Sequence, residues 1–474
     1  MVCWCYSTEW KIMTSYTHET STEAPIETVF DWHKRRGAFH RLTPPWELVL
    51  EKRADPEIPE VGSERVMKFV MGPAKMTWHA KHTKYDPPRS FGETMLKGPF
   101  WKWDHEHLFE EENGVTTVTD KVDYKVPFGF LGEIVDRVLG GRLVTQRIDR
   151  MFKAREIRLQ RDMKRHQKYR SMDRKKILVA GSSGLIGTQL VAFLDTGGHD
   201  VYRLVRRKVK DNTEIEWDPE KGVIDSSMIE GFDAVIHLGG EGIGDRRWSA
   251  KRKNKIMTSR TESTSLLAET LANLKQPPEV FMVASAVGFY GHSDKQGLTE
   301  KSEPGTGYLA EVCSAWEESA RPAEESGIRT IWLRTGIVLS GIGGALGKML
   351  LPFKMNAGGP IATGKQWMPW ISMDDQIYSM HELLMDSSAS GAYNLTAPNP
   401  VSQREFSKTL GRVLRRLAIA PLPSFVVKIL FGEMGDNLLT KGQHVIPSRL
   451  EEQGYEFTHS DLESALRDTL GMWA

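Results

Sequence analysis

A short glycine-rich stretch near the middle of the chain limits the fold more than any other feature. Residues Lys175–Gly187 read KKILVAGSSGLIG, in which an apolar run leads into glycines spaced as G-x-x-G-x-x-G. The apolar run predicts a buried parallel strand, and the residues after it have helical spacing. Gly181 permits a tight turn, Gly184 lets backbone approach a pyrophosphate, and Gly187 lets the helix pack closely on the strand. This strand–turn–helix context indicates a dinucleotide site.

The backbone of this turn is expected to hold the phosphates. The helix that follows begins with free N–H groups and the positive end of its dipole, both of which favour anions. No Lys-Ser or Lys-Thr pair follows the last glycine, which excludes a Walker-type phosphate loop. The predicted cofactor contacts in the turn are Gly181, Ser182, Gly184, Leu185, Ile186 and Gly187.

Two arginines after the next strand bear on the choice of dinucleotide. The run Val201–Val205 predicts that strand, and Arg206 and Arg207 follow it. An NAD-specific site carries an acidic residue here for the ribose 2′-hydroxyl, and this sequence has none. Guanidinium groups can hold a 2′-phosphate instead. We therefore expect NADP, with NAD less favoured, although a plain solvated strand end would also tolerate two arginines.

Further strands alternate with helices, as in a doubly wound parallel sheet. Asp233–Gly240 predicts a buried strand whose end, at Leu238 and Gly239, is expected beside the cofactor ribose. Glu279–Gly291 predicts a strand that runs out into a loop. Ser285 stands near the carboxyl end of that strand, where open α/β sheets place their chemistry.

Length and composition divide the chain and exclude some functions. The 474 residues are too many for one core. We expect a tail (1–12), a first domain (13–170), a dinucleotide-binding domain (174–340) and a subdomain on the substrate side (341–474), beginning with loops over 341–369. The net charge of +1 gives no reason to expect a nucleic-acid partner. The odd, sparse count of three cysteines and the absence of a long apolar run favour a cytoplasmic protein without a membrane span.

The sequence pattern of the first domain predicts an α+β fold. A strand, a helix, six strand-like runs between Trp46 and Tyr124, and a long basic helix from Leu131 to about His166 follow in order, which is a helix-grip pattern. The basic face of that helix is expected to be solvated, because acidic residues are interspersed.

One strand of the first domain has an unusual face. Aromatic and imidazole side chains alternate with charged ones, so that one face carries Trp101, Trp103, His105, His107 and Phe109. Such a face suits a hydrophobic ligand cavity, and a plain core would look the same. His105 and His107 share that face, but no third ligand is near in sequence, and we expect no metal there.

Two family resemblances extend this interpretation. In the first domain the informative stretches are Arg41–Trp46, Lys97–Phe100 and Val126–Gly129. With them, roughly residues 13–165 resemble the START-like polyketide cyclase/dehydrase superfamily, which implies a hydrophobic cavity. In the rest of the chain they are Gly181–Gly187, His237–Gly240, Arg246–Trp248, Ser285–Gly291, Leu333–Val338 and Tyr393–Pro400. With these, about residues 174–474 resemble the extended, atypical short-chain dehydrogenase/reductases of the NAD-dependent epimerase/dehydratase family, in its epimerase-like branch, which implies a Rossmann domain.

The second resemblance implies Ser, Tyr and Lys as catalytic residues. Ser285 fits, and Tyr290 and Tyr308 are the candidate tyrosines. The lysine does not carry over, because Val312 lies four residues after Tyr308 and no Tyr-x-x-x-Lys occurs in the chain. An unassisted tyrosine is a poor base at neutral pH. Two functions therefore stay open: an epimerase or oxidoreductase acting on a small carbonyl or sugar-like substrate, and a non-catalytic NADP sensor coupled to a lipid-like ligand.

Overall fold

The computed structural model describes residues 13–55, 59–71, 74–125 and 143–473. The predicted tail (1–12), the stretch Val126–Gly129 and the first part of the predicted long helix (131–142) lie outside the described residues. The chain divides into two compact units, Met1–Arg170 and Ser171–Ala474, called unit 1 and unit 2 below.

Unit 1 is built on a seven-stranded antiparallel sheet in the order β1-β7-β6-β5-β4-β3-β2. The six predicted strands after the first helix are confirmed as β2 to β7. The elements are β1 (Thr14–Thr22), α1 (Ile26–Lys34), α2 (Ala38–Leu42), β2 (Leu48–Ala54), β3 (Glu64–Met71), β4 (Ala74–Asp86), β5 (Ser90–Lys97), β6 (Lys102–Glu112), β7 (Val115–Lys125) and α3 (Leu143–Lys168).

The alternating face of β6 points into the core of unit 1. Trp103 packs in one cluster with Phe152 of α3, and Phe109 packs in another with Leu159 of the same helix. Trp101 does not belong to this face: it precedes the strand and is 71% exposed. The predicted alternation wrongly included Trp101, because the backbone bends at Trp101 and the strand starts only at Lys102.

A buried ion pair joins two helices of unit 1. Arg41 on α2 donates to both carboxylate oxygens of Asp162 on α3, over 2.8 Å from Nε and 2.6 Å from Nη2. Neither side chain is exposed to solvent. A bidentate pair of this kind stabilises only with good geometry, and it fixes the relative position of the two helices.

Unit 2 is a doubly wound α/β domain. Its main sheet has the order β11-β10-β9-β8-β12-β13-β14-β18, parallel except for β10 with β11. The strands are β8 (Lys176–Ala180), β9 (Asp200–Val205), β10 (Glu214–Asp218), β11 (Val223–Ile224), β12 (Ala234–His237), β13 (Val280–Ala286), β14 (Arg329–Thr335), β15 (Ile337–Leu339), β16 (Trp367–Met368), β17 (Trp370–Ser372), β18 (Gly391–Leu395) and β19 (Val401–Ser402).

The strand order reverses between the neighbours β8 and β12. From β8 the chain continues toward β9 on one side, and from β12 it continues toward β13 on the other. The two connections therefore diverge and leave a crevice at the carboxyl ends of β8 and β12. The helices are α4 (Leu185–Thr196), α5 (Ala250–Ala272), α6 (Tyr308–Glu318), α7 (Arg321–Glu325), α8 (Gly344–Lys354), α9 (Met373–Met385), α10 (Gln403–Leu414), α11 (Ser424–Leu439), α12 (Ser448–Glu452) and α13 (Leu462–Leu470).

The prediction of loops over 341–369 is wrong for Gly344–Lys354, which is helix α8. Leu346, Leu350 and Phe353 are buried there at helical spacing and pack in a cluster with residues of α10 and α13. This burial outweighs the glycines and Pro352 that suggested a loop. None of the helices in the described part of the chain has the length and apolar character needed to cross a membrane.

Candidate functional site

The glycine turn lies at the crevice, between the end of β8 and the start of α4. Gly181 has a φ of 81°, and a Cβ there would come within 2.7 Å of the Leu238 carbonyl carbon. A Cβ on Gly187 would lie 2.9 Å from the Ser182 Cα and closer still to the Gly181 oxygen. Both positions therefore need glycine for the turn itself, as predicted from the motif.

Gly184 differs from its two neighbours in the motif. Its φ of −74° suits any residue, and a Cβ would meet only the Gly181 oxygen, at 3.2 Å. Gly184 is exposed and begins α4 without a side-chain cap. The first N–H groups of α4 therefore have no side-chain acceptor, which fits a phosphate at this helix end. Ser182, Leu185 and Ile186 line the same turn.

The end of β12 forms the other wall of the crevice. Leu238 continues the strand by donating its N–H to the Ala180 oxygen over 2.9 Å, and Gly239 follows at the position predicted beside the cofactor ribose. His237 supports this backbone from below. Its Nε2 lies 2.9 Å from Ser263 Oγ, and burial lowers the pKa of His237 to about 3, so that the ring is neutral.

The two predicted arginines after β9 differ in their surroundings. Arg207 donates to both carboxylate oxygens of Glu214, over 2.6 and 2.7 Å. Arg206 is exposed and has no hydrogen bond or ion pair with any residue that the structure describes. Only Arg206 is therefore available to an anion without giving up an existing partner.

Ser285 and Tyr290 belong to one hydrogen-bonded network around an ion pair. Arg334 on β14 pairs with Glu317 on α6, with Nε and Nη2 donating over 2.9 and 2.8 Å. Ser285 Oγ donates to the same carboxylate over 2.6 Å. Tyr290 accepts from Arg334 Nη1 at 3.1 Å and donates to Asn394 Oδ1 at 2.6 Å. Both predicted hydroxyls are thus engaged inside the protein.

The environment of Tyr290 does not favour its phenolate. Burial raises the pKa of Tyr290, and the attraction of Arg334 offsets only part of that rise. The guanidinium also lies 3.5 Å from the centroid of the Phe289 ring, so its charge is shared among several partners. Tyr290 is therefore suited to donating a hydrogen bond and poorly suited to acting as a base at neutral pH.

Tyr308 lies apart from this network, at the start of α6. Its hydroxyl donates to the Lys253 carbonyl oxygen over 2.7 Å, and its ring packs against Trp248. Burial raises the pKa of Tyr308, with Arg260 as the largest opposing influence. Unlike Ser285 and Tyr290, Tyr308 is half-exposed.

Cations near Tyr308 come from α5 and not from the helix that carries the tyrosine. Val312, at the position of the absent lysine, is buried in an apolar cluster with Trp248 and Met434. The Lys253 ammonium lies 4.9 Å from the centroid of the Tyr308 ring, and it also pairs with Glu433 at 2.9 Å. Arg260 reaches from α5 toward Gly240, where an added Cβ would lie 3.2 Å from its Cζ.

Sequence reasoning did not identify Glu317, Arg334, Asn394 or the cations of α5. Arg334 and Asn394 stand inside two of the matched stretches, at the carboxyl ends of β14 and β18, and that placement was the available signal. Glu317 gave no signal, because its partners are 17 and 32 residues away in sequence.

Comparison with known proteins covers both units to different extents. Residues 177–396 match the NAD dependent epimerase/dehydratase family, and residues 422–469 match a domain of unknown function, DUF1731. A crystal structure described as a nucleoside-diphosphate sugar epimerase from Corynebacterium glutamicum is 30% identical, with a TM-score of 0.77, and the match covers 96% of this chain and 90% of that one.

Two further relatives match unit 2. The structure of the human epimerase family protein SDR39U1 with NADPH is 34% identical, with a TM-score of 0.57, over 62% of this chain and 98% of that chain. An epimerase family protein of Mycobacterium bovis is 39% identical over 290 residues, which are 61% of this chain and 96% of the relative. Because that relative is matched along nearly its whole length and the glycine turn has the geometry the motif requires, this chain belongs to the NAD-dependent epimerase/dehydratase family.

Proposed function

We propose that the protein binds NADP(H) and uses it for epimerase or oxidoreductase chemistry on a small carbonyl or sugar-like substrate. The observation that carries this proposal is the pairing of a glycine cradle with the unengaged guanidinium of Arg206. The cradle suits a pyrophosphate, and Arg206 stands at the end of β9, where doubly wound domains hold the adenosine ribose. The NADPH bound to the human relative supports the same cofactor.

Each cofactor contact has a definite role in this proposal. Backbone groups from Gly181 to Gly187 hold the pyrophosphate, with Ser182, Leu185 and Ile186 along the turn. Leu238 and Gly239 flank the ribose, and Arg206 holds the 2′-phosphate. Arg207 contributes through its charge, since Glu214 already engages both ends of its guanidinium. The bound nicotinamide would supply or accept the hydride.

The proton transfer is assigned first to Tyr308. It is the only one of the three predicted hydroxyls that is half-exposed, and α5 places Lys253 and Arg260 near its ring. Burial nevertheless raises the pKa of Tyr308, as it does that of Tyr290, and Arg260 offsets only part of this rise. Tyr308 is therefore better suited to giving a proton to the reacting oxygen than to acting as a base. Ser285 and Tyr290 would orient the reacting oxygen, provided that substrate displaces one of their present partners.

Cofactor preference is tested by titrating the full-length protein with NADPH and NADH. Arg206→Ala should weaken NADPH about 10- to 100-fold, the value of a charge-assisted contact of about 1.5–3 kcal/mol, and leave NADH nearly unchanged. Arg207→Ala is the matched control and should cost less, because it mainly releases Glu214. Equal losses for NADPH and NADH in Arg206→Ala would contradict the NADP assignment.

Turnover is tested separately, with NADP(H) and a panel of carbonyl compounds and nucleotide sugars. Tyr308→Phe should lower kcat by about 100-fold or more if the hydroxyl transfers the proton. A panel without any product, despite NADPH binding, would remove the enzymatic part of the proposal.

A second function, a non-catalytic NADP sensor, is favoured by one observation. All three predicted hydroxyls already have hydrogen-bond partners within unit 2, and the usual lysine position is apolar. A sensor would bind NADPH without turnover and would change its affinity for a lipid-like ligand of unit 1 when NADPH is bound. Ligand affinity that is identical with and without NADPH would rule out this function.

For unit 1 we propose a START-like helix-grip domain that takes a hydrophobic ligand. The antiparallel sheet packing on α3 and the aromatic side chains of its core support this. Native mass spectrometry of the purified chain should detect a bound lipid or polyketide-like molecule. Failure to retain any of a set of fatty acids and aromatic polyketides would count against a ligand domain.

A further inference from the structure

We propose that unit 1 binds one divalent transition-metal ion through His105, His107 and Asp120. The three side chains come from two neighbouring strands and meet on the inward face of the sheet. In the register of β6 with β7, His107 stands opposite Asp120, and His105 lies two residues away on the same face. The third ligand that seemed absent from the sequence is thus supplied across the strand pair.

The donor atoms of this cluster are close enough to share an ion. One ligand atom from each residue can be chosen so that all three lie within 4.8 Å of one another. His105 Nε2 is 2.9 Å and His107 Nδ1 is 2.7 Å from the same oxygen of Asp120. Bonds of 2.0–2.2 Å from a central ion would require only a small outward shift of these side chains.

One of these atoms is not satisfied by the protein alone. His107 Nδ1 is buried and makes no hydrogen bond of acceptable geometry, although Asp120 is near. His107 is 93% buried, with its ring stacked on Phe91 at a centroid distance of 4.2 Å. A buried imidazole nitrogen without a well-formed hydrogen bond calls for an explanation, and coordination of an ion shared with Asp120 would supply one.

A second layer of polar groups surrounds the three ligands. Glu93 Oε1 lies 3.9 Å from His105 Nδ1, the ring nitrogen that faces away from Asp120. A carboxylate behind a histidine ligand fixes the ring and increases its basicity. Two arginines lie within electrostatic reach of these carboxylates, Arg155 toward both Asp120 and Glu93 and Arg65 toward Glu93. The support for an ion therefore comes from the donor geometry and not from an excess of negative charge.

The ligand types indicate the class of metal. Two imidazoles and one carboxylate suit first-row divalent ions such as Zn²⁺, Fe²⁺ or Co²⁺, and they do not suit Ca²⁺ or Mg²⁺, which prefer oxygen ligands. Three protein ligands leave at least one coordination position open. The competing explanation is that Asp120 only neutralises the two histidines and that no ion binds.

The test uses the full-length chain with Cys3→Ser and Cys5→Ser, because this C-x-C pair could bind the same ions. After removal of metal with a chelator, the protein is titrated with Co²⁺ and followed by its visible absorption, and then with Zn²⁺ by calorimetry. We expect one equivalent of each ion, and His107→Gln and Asp120→Asn should each weaken binding by about 100-fold or more. The matched control is His79→Gln, which removes another histidine–carboxylate pair of the same sheet (3.0 Å to Glu64) and should leave binding unchanged.

Two results would overturn the site: no visible Co²⁺ spectrum in the parent protein, or a spectrum that persists in Asp120→Asn. Circular dichroism and urea denaturation, compared with the parent protein, show whether each variant is folded. If both ligand variants fail to fold, X-ray absorption of the zinc-loaded parent decides the question. Two imidazole ligands would support the site, and a spectrum without imidazole would reject it.

Discussion

The two halves of the crevice in unit 2 are built in different ways. Around β8 and β12 the site is formed by backbone, with glycines where any Cβ would strike a neighbouring peptide. Around β13 and α6 it is formed by side chains, which an ion pair between Glu317 and Arg334 holds in place. The first half is therefore defined by local sequence, and the second depends on partners that meet only after folding. The predictions below test this difference.

The largest effect is expected from Glu317→Gln. It leaves Arg334 buried without its counter-charge, and a broken buried pair costs about 3–5 kcal/mol in the free energy of unfolding. Glu318→Gln is the matched control, since the neighbouring glutamate pairs with Arg321 on the surface and should cost less than about 1 kcal/mol. Urea denaturation measures both. Equal costs would mean that the network does not hold this half of the crevice together.

Next in size is the contrast between Gly187→Ala and Gly184→Ala. The first forces a methyl group against backbone and should lower the free energy of unfolding by about 1–3 kcal/mol, with loss of NADPH binding. In the second, the methyl group would lie 3.2 Å from the Gly181 oxygen, a tight contact that a small shift of the turn can relieve. We therefore expect a smaller loss of stability than for Gly187→Ala, and weaker NADPH binding from contact with the pyrophosphate. Denaturation and NADPH titration separate the two outcomes. Full NADPH affinity in Gly184→Ala would contradict the proposed approach of the phosphates.

A pH effect is expected from His237, a buried side chain next to the backbone of Gly239. The pKa of His237 is about 3 in the folded protein against 6.5 in the unfolded chain. Below pH 6.5 the unfolded chain therefore takes up a proton that the folded protein refuses. Stability should fall as the pH drops toward 3, by about 1.4 kcal/mol per pH unit from this group.

His237→Asn should reduce that slope, as measured by urea denaturation of both proteins at several pH values. Other buried histidines with a lowered pKa, for example His33 of unit 1, contribute slopes of the same sign, so only the difference between the two proteins reports on His237. An unchanged slope would show that the ring beneath Gly239 is not held neutral by burial.

The smallest effect is expected from Ser285→Ala. It removes one of three donors to the Glu317 carboxylate and should cost about 0.5–1.5 kcal/mol of stability, with unchanged NADPH affinity. A loss of NADPH affinity would show that the two halves of the crevice are coupled and cannot be treated as separate parts of the site.

The backbone half of the crevice could be predicted from the sequence, and the side-chain half could not. Gly181, Gly184 and Gly187 specify a turn through contacts within a few residues, and strands with clear periodicity, such as β6 and β9, were also predictable. Glu317 and Asp120 were not, because their partners come from other strands and helices. Helix α8 was missed for a related reason: its glycines and proline suggest a loop, and only burial against α10 and α13 overrides them.

The buried position of Val312 has a consequence for how this site could change over evolution or in the laboratory. Val312 is 3% exposed and belongs to an apolar cluster, so a lysine introduced there would place an ammonium group in a buried apolar environment. Introducing the Tyr-x-x-x-Lys pair in a single step would therefore cost stability. A path toward it would first have to enlarge or polarise the surroundings, for example at Met434, before the lysine could be accepted. The order of the substitutions would therefore matter, because the lysine could be accepted only after its surroundings had changed.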